Sequence, residues 1–261
     1  MIYSGHPVSR STRLCVVTLL PGLMILGLWE LSVHGVARLE FLFASPSKIA
    51  AVAQQEVLAG TILIDLSVTA IEAIVGLLVG SLVGSLIGLL MWADDRIARV
   101  ARPYIVIVGA IPIFAIAPML IIWFGTGTLS KVVMSAFSVF FVALGQAYDG
   151  ARFCSREYTQ YALTLNAPRL RMLKKIIVPG ALRWVAAGFK INIGLALVGA
   201  FIGEFVSSEA GLGHYILSAG GLYDMPRVMF GVLLISLLAL SMTALVWACE
   251  LWKPNLFARS E

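Results

Sequence analysis

The chain has 261 residues, of which 60% are hydrophobic and 13% are charged, and its mean hydropathy is +0.95. A soluble domain carries about 25% charged residues. This composition leaves too little polar surface to cover a globule in water, which excludes a soluble enzyme, a nucleic-acid-binding domain and a disordered scaffold and indicates a membrane protein. The net charge of +5 is attributed to basic loops between spans rather than to nucleic-acid binding.

Six apolar stretches are each long enough to cross the hydrocarbon core of a bilayer, which takes about 20 helical residues. The first covers residues 14–33 and is interpreted as a retained span, because no small-residue cleavage site follows it. The other five are 66–93, 104–125, 132–148, 184–205 and 228–251. None alternates like a strand of a β-barrel. The predicted fold is an all-α membrane protein with six transmembrane helices.

The distribution of Lys and Arg predicts the orientation of these spans, because basic residues collect in cytoplasmic loops. With the N-terminus inside, the cytoplasmic segments hold 14 of the 19 basic residues. The outer segments hold only Arg38, Lys48, Lys131 and Arg227, and Lys190 lies within a span. Both termini are therefore predicted to be cytoplasmic.

The second span carries glycine at every fourth position. This ladder consists of Gly76, Gly80, Gly84 and Gly88. Small residues at this spacing let two helix backbones approach closely in a membrane. The ladder predicts either tight packing within the bundle or a face that slides during a transport cycle.

Helix-breaking and charged residues within the spans are candidates for a translocation path. Pro112 and Pro118 each remove a backbone donor, and they predict either a structural kink or a break against a water-filled cavity. Lys190 and Glu204 lie fourteen residues apart on one face of the fifth span, and Glu72 lies near the start of the second. Intramembrane charges are functional candidates. Alternatively, Lys190 extends to the interface and Glu204 caps a neighbouring helix.

The cytoplasmic segment 152–183 is too long and too patterned for a simple connector. Ser155 is predicted to cap a helix, and Asn166 to end it. An apolar stripe at helical spacing lies between them, formed by Tyr158, Tyr161, Ala162 and Leu165. A second helix is predicted from Pro168 to a break at Pro179. The apolar stripe of this helix–turn–helix would lie on lipid or insert into the groove of a soluble partner.

At this segment the sequence resembles the inner-membrane permeases of ATP-binding-cassette importers, specifically the nitrate/sulfonate/taurine branch. That family carries a cytoplasmic E-A-A-x3-G motif followed by an I-x-L-P element. The matching residues here are QYALTLN at 160–166 and IIVPGAL at 176–182. Similar matches occur at 43–47, 111–118, 123–127, 188–194, 203–204 and 210–213, so the resemblance covers about 43–252.

The motif departs from the family pattern at three positions. Gln160 replaces the acidic residue, Tyr161 replaces the first alanine, and Asn166 replaces the glycine. Asn still adopts the left-handed turn that the glycine position needs. The lost carboxylate and the bulky tyrosine imply an unusual contact with the ATPase. The family usually has Arg where Glu72 and Lys190 stand, so the charge at position 72 is reversed.

The resemblance implies the fold of a type I importer permease, with a transmembrane domain over 43–252. Residues 1–42 would hold the N-terminal tail, the first helix and the start of an outer loop, and 253–261 a cytoplasmic tail. A coupling helix between spans four and five would contact the ATPase. The residues expected at that contact are Tyr158, Gln160, Tyr161, Ala162, Leu165, Asn166, Ala167 and Pro168. The residues expected along the path are Pro112, Pro118, Lys190 and Glu204.

The resemblance also implies partners. These are a second permease copy or a paralogue, a cytoplasmic ATPase dimer that holds ATP and Mg²⁺, and an extracytoplasmic solute-binding protein, all at a bacterial inner membrane. No G-x4-G-K-[ST] sequence occurs, so this chain is expected to bind no cofactor and not to be an enzyme. The three scattered cysteines predict no metal site.

The expected solute is a small oxyanion or organic acid such as nitrate, a sulfonate or taurine, although specificity resides largely in the binding protein. The alternative function is an ion-coupled secondary carrier or a channel. It would use Glu72, Lys190 and Glu204 as a relay and would need no ATPase.

Overall fold

The computed structural model describes residues 8–34, 37–164 and 169–252, with the side chains of 20–34, 39–154 and 171–248. Every regular element in these ranges is a helix. In chain order the helices are α1 (Val8–Val33), α2 (Ala37–Phe43), α3 (Pro46–Ala59), α4 (Thr61–Trp92), α5 (Asp95–Gly109), α6 (Ile113–Phe124), α7 (Thr128–Thr164), α8 (Arg169–Met172), α9 (Val178–Ser207), α10 (Leu212–Gly221) and α11 (Met225–Trp252). A π-helical turn, Leu173–Ile177, joins α8 to α9.

The apolar helices confirm the predicted all-α membrane fold. Four helical stretches in the described part of the chain are long and apolar enough to span a bilayer, namely α4, Thr128–Cys154 of α7, Leu173–Ser207 and Met225–Ala248 of α11. The pair of α5 and α6 is a fifth span if it is counted as one. The described apolar part of α1 is Leu20–Val33, within the predicted first span.

The predicted third span, 104–125, is not one straight helix. α5 begins already at Asp95, because the side chain of Asp94 accepts a hydrogen bond from the Arg96 N–H at 2.8 Å and caps the helix. The axes of α5 and α6 then differ by 92°. Pro112 lies at this break in an extended conformation, with φ −60° and ψ 127°. Pro118 lies inside α6, which continues through it to Phe124.

The predicted helix–turn–helix begins and ends differently in the structure. α7 continues without interruption to Thr164, so the expectation that Ser155 caps a new helix is wrong. The predicted break at Pro179 is also wrong. The Val178 N–H donates to the Leu173 carbonyl, five residues back, and the π-helical turn leads directly into α9. Pro179 then lies in the first turn of α9, where no backbone donor is needed.

The core of the bundle is the contact of α4 with α7 and α9. All four glycines of the predicted ladder face α7. A Cβ atom added to the last three would collide with the carbonyl oxygens of Ala136, Phe140 and Leu144, which repeat at the same four-residue spacing on α7. The two helices therefore pack backbone to backbone along three turns, as small residues allow in a membrane. Sliding along this face stays a prediction.

Candidate functional site

The α4, α7, α9 and α10 helices meet at one end of the bundle, which we call the α10 end. α4 and α7 begin there, and α9 ends there. Glu204, near the end of α9, is fully buried at this point. The Thr69 hydroxyl of α4 donates to Glu204 Oε1 at 2.6 Å, and the Gly213 N–H of α10 donates to Oε2 at 2.6 Å. One carboxyl group thus links three helices.

Glu204 and Thr69 together cap the N-terminus of α10. The first N–H groups of a helix have no partner within the helix. Here the Leu212 N–H donates to the Thr69 hydroxyl at 2.8 Å, and the Gly213 N–H reaches Glu204. The carboxyl group also lies at the positive end of the helix dipole. The observed contacts therefore agree with the second of the two expectations for Glu204, that it caps a neighbouring helix.

The turn before α10 requires glycine. Gly211 has φ +106°, which residues with a Cβ rarely adopt, and its N–H donates to Asp65 Oδ1 at 2.8 Å. A Cβ atom there would also collide with the carboxyl group of Glu204. At Gly213 a Cβ would lie 2.8 Å from the Phe201 carbonyl oxygen. Both glycines let the backbone approach the buried carboxyl group closely.

A buried lysine lies beside this cap. Lys131, in the first turn of α7, is 1% exposed, and its ammonium donates to the Thr126 carbonyl. The carboxyl groups of Glu72, Glu204 and Glu209 lie near enough to interact electrostatically with its charge. Glu72 of α4 is also 1% exposed, and its carboxyl group lies within hydrogen-bonding reach of the Glu204 carboxyl group. Three carboxyl groups and one ammonium thus share this end of the bundle.

A cavity of about 540 Å³ opens beside these charges. It lies among the start of α4, the turn between α6 and α7, and the turn between α9 and α10. Its polar lining includes Glu72, Thr126, Thr128, Lys131, Ser208 and Glu209. This volume falls in the range that binds small organic molecules. The cavity and the adjacent charges form the candidate site.

Comparison with known proteins identifies the kind of molecule to which this site belongs. Residues 76–249 match the family described as the binding-protein-dependent transport system inner membrane component. The chain belongs to this family. It is an importer permease, a membrane subunit that translocates a small solute.

Curated relatives support the same assignment. The permease is 39% identical to a probable ABC transporter permease protein of Haemophilus influenzae, over 64% of this chain and 68% of that protein. It is 28% identical to the formylaminopyrimidine transport permease protein ThiX of Halalkalibacterium halodurans, over 84% of this chain and 86% of that protein. It is 26% identical to the taurine transport system permease protein TauC of Escherichia coli, over 58% of this chain and 55% of that protein. These relatives confirm the resemblance to ABC importer permeases of the sulfonate and taurine branch.

A solved structure supports the fold alone. The inward-facing MetNI methionine ABC transporter matches the permease with a TM-score of 0.60 at 16% sequence identity. The match covers 74% of this chain and 98% of the other. The permease therefore has the type I importer fold that the resemblance implied. An ion-coupled carrier or channel is not favoured by these similarities.

The predicted path residues do not all come together at the cavity. Glu204 contacts the cluster through Glu72, whereas Lys190 lies fourteen residues earlier on α9, about 21 Å along the helix axis. Pro112 and Pro118 lie at the break before α6 and within it. None of these four residues lines the cavity. Their role in a path stays a prediction.

The predicted ATPase-contact residues fall outside the described side chains. Leu165, Asn166, Ala167 and Pro168 lie outside the described residues altogether. Tyr158, Gln160, Tyr161 and Ala162 lie on the last turns of α7, where only the backbone is described.

Lys131 is the residue that sequence reasoning missed. The sequence places it in an outer loop, because the predicted fourth span begins only at Val132. α7 begins three residues before Lys131, and the turn of Thr126 folds back to accept from its ammonium. The sequence feature that could have indicated a buried lysine is its position next to the apolar run that begins at Val132. A charged residue there either lies at the membrane surface or pairs with another charge inside the protein.

Proposed function

We propose that this permease and a second permease subunit form the path by which a small solute enters a bacterial cell across the inner membrane. The observation that carries the proposal is the family match over residues 76–249, two thirds of the chain. Uptake is driven by a separate cytoplasmic ATPase dimer, which holds ATP and Mg²⁺, because this chain contains no phosphate-binding G-x4-G-K-[ST] sequence. An extracytoplasmic binding protein delivers the solute.

The proposed orientation places the α10 end outside the cell. It is supported by the positive-inside rule, since the opposite end carries seven basic residues between 152 and 183. The transmembrane domain then comprises 43–252. Segment 1–42 begins in the cytoplasm and crosses to the outer side, and segment 253–261 lies in the cytoplasm. With this orientation the cavity opens where the binding protein releases its solute.

The segment between spans four and five is the proposed contact with the ATPase. The predicted cytoplasmic segment begins at Arg152, yet α7 continues to Thr164. These 13 residues extend the helix by about 20 Å at 1.5 Å per residue. A helix of that length carries Tyr161 and its neighbours well away from the apolar part of the span. When ATP closes the ATPase dimer, it would move this extension of α7 and thereby change the tilt of the membrane spans.

Replacing Tyr161 by Asp tests the coupling role. The complete importer, with its ATPase and binding protein, is reconstituted in liposomes, and ATP-driven uptake and ATP hydrolysis are measured together. We expect Tyr161→Asp to lower uptake at least tenfold and to abolish co-purification of the ATPase, because a buried carboxylate disrupts an apolar contact. Insertion of the permease into the membrane should be unchanged.

Two controls accompany this variant. Tyr161→Phe keeps the ring and should retain uptake. Tyr223→Asp makes the same change on a residue that is 69% exposed at the α10 end, and the ATPase should still co-purify. Full uptake by Tyr161→Asp would refute the coupling role. Uptake by a wild-type permease that purifies without any nucleotide-binding subunit would refute the importer proposal and support an ion-coupled carrier.

A further inference from the structure

The first half of α5 has a basic face that lies next to an exposed apolar face. The side chains of Arg96, Arg99 and Arg102 are all exposed. Their spacing of three residues places them within about 120° of the helix circumference. On the neighbouring side, Ile97 and Val100 are 58% and 66% exposed. The helix therefore presents positive charge and apolar surface side by side.

The protein itself covers only a third side of α5. Ala98 is 1% exposed and belongs to a cluster with Met91 of α4 and with Leu144 and Tyr148 of α7. Ile105, two turns further along α5, packs against the same cluster. This contact fixes the rotation of α5 about its axis, so its basic and apolar faces both point away from the bundle.

The positive charges of α5 are not neutralised within the described part of the protein. None of its three arginines forms an ion pair there, and Arg99 Nε donates to the backbone carbonyl of Asp95 at 3.3 Å. Two carboxylates precede the arginines, and that of Asp94 already accepts a hydrogen bond as the cap of α5. The face thus has an excess of positive charge and accessible guanidinium donors.

The position of α5 in the chain places these arginines at the bilayer surface. α4, a membrane span, ends at Trp92, and α5 begins three residues later. Charged side chains avoid the hydrocarbon core, so Arg96 to Arg102 lie at the level of the headgroups. Tyr104, which follows them, is 65% exposed, as is typical of aromatic residues at a membrane interface. The rest of α5 is uncharged.

We propose that this face of α5 binds an anionic phospholipid of the cytoplasmic leaflet. The leaflet rests on the orientation given under the proposed function. The planar guanidinium groups hold the phosphate, for which their paired N–H donors are well suited. Ile97 and Val100 contact the acyl chains of the same lipid. An acidic surface of the ATPase would match the charge of the arginines but would leave the adjacent apolar face uncovered.

The test compares two phospholipids that have the same acyl chains. The purified permease–ATPase complex is equilibrated with mixed vesicles of dioleoylphosphatidylglycerol and dioleoylphosphatidylcholine, and the lipids that it retains in detergent are quantified by mass spectrometry. We expect phosphatidylglycerol to be enriched about fivefold over its share in the vesicles, because a basic residue near an anionic surface strengthens binding by about that factor. High salt should reduce the enrichment, since it screens exposed charges.

Matched double variants assign the enrichment to α5. Arg99→Gln combined with Arg102→Gln should remove most of it, because both guanidinium groups are lost. Lys174→Gln combined with Lys175→Gln removes the same number of exposed charges at the same end of the bundle and should keep the enrichment. The ATPase should co-purify with the arginine variant as it does with the wild type. All four side chains are exposed, so both variants are expected to fold.

The proposal is overturned if the arginine variant retains the wild-type enrichment. It is also overturned if the lysine variant loses the enrichment equally, because the preference would then belong to the whole basic end. Loss of the ATPase from the arginine variant would assign the face to that subunit instead of lipid. Failure of the proposed function has a different signature, since no ATPase would then co-purify with the wild-type permease.

Discussion

Glu204 connects α9 to α4 and α10 through two short hydrogen bonds. The Thr69 hydroxyl and the Gly213 N–H each lie 2.6 Å from one of its oxygens. Because the carboxyl group is fully buried, no water is available to replace it. The position of α10, and with it one wall of the cavity, therefore depends on this side chain.

Replacing Glu204 by Ala should destabilise the permease. The change leaves the Gly213 N–H buried without an acceptor, at about 1–3 kcal/mol, and leaves the Thr69 hydroxyl with only the longer bond to the Asp65 carbonyl at 3.2 Å. We expect the free energy of unfolding to fall by about 3 kcal/mol, measured by thermal unfolding of the purified complex in detergent. Glu209→Ala is the matched control, since Glu209 is exposed and should change stability by less than about 0.5 kcal/mol. Equal stability of the two variants would show that the cap does not hold α10.

α4 and α7 illustrate how the lipid environment shapes a helix pair. Their contact depends on four glycines of α4 that lie against the backbone of α7. In lipid there is no hydrophobic drive between helices, so close van der Waals contact has to supply the association. α9 completes this core through Ala196, Leu197 and Ala200, which pack with Ala73 and Val139.

The glycine ladder predicts that a larger side chain at one of its positions destabilises the contact between α4 and α7. Gly84→Ala places a methyl group against the Phe140 carbonyl and 3.1 Å from the Ala143 Cβ, so the helices must separate. We expect a loss of about 1–3 kcal/mol in the stability of the purified complex, as for an overpacked core. Gly145→Ala on α7 is the control, because nothing lies within 4 Å of its added Cβ. It should be neutral or stabilising by up to about 1 kcal/mol, since alanine favours helix. A neutral Gly84→Ala would refute backbone-to-backbone packing.

The two ends of the whole molecule differ in charge and in shape. The α10 end holds the cavity and the buried carboxyl groups. The other end holds the long extension of α7 and the exposed side chains of Arg171, Lys174 and Lys175. Such a difference matches a transport subunit that receives its solute on one side and mechanical work on the other.

Cysteine labelling tests this orientation. Cys15, Cys154 and Cys249 are first replaced by Ser. A membrane-impermeant maleimide should then label Ser218→Cys, on the exposed side of α10, in intact bacterial cells. It should label Lys174→Cys only after the cells are permeabilised, because basic loops remain in the cytoplasm. The reverse pattern would invert the proposed topology and place the cavity inside the cell.

Membership of the membrane class, the positions of the apolar stretches and the family motifs were predictable from the sequence, because hydropathy and motif spacing are properties of neighbouring residues. Two local expectations were wrong at the segment 152–183. Ser155 and Pro179 have the residue types of helix boundaries, but α7 runs through the first, and a π-helical turn accommodates the second. Propensity is a weak prior that the continuing helix overrides.

Only the tertiary structure decided how distant residues meet. Glu72, Lys131 and Glu204 stand on three different helices, and Thr69 reaches Glu204 across 135 positions of the chain. Such contacts depend on how each helix is rotated about its axis and how deeply it is packed against its neighbours. Apart from the glycine ladder of α4, the apolar stretches are hydrophobic on most sides, so their periodicity does not indicate which side faces a partner and which faces lipid. The packing of α4, α7 and α9 determines which side of each helix is buried. It brings Glu72, Lys131 and Glu204, which are distant in the sequence, into one buried cluster.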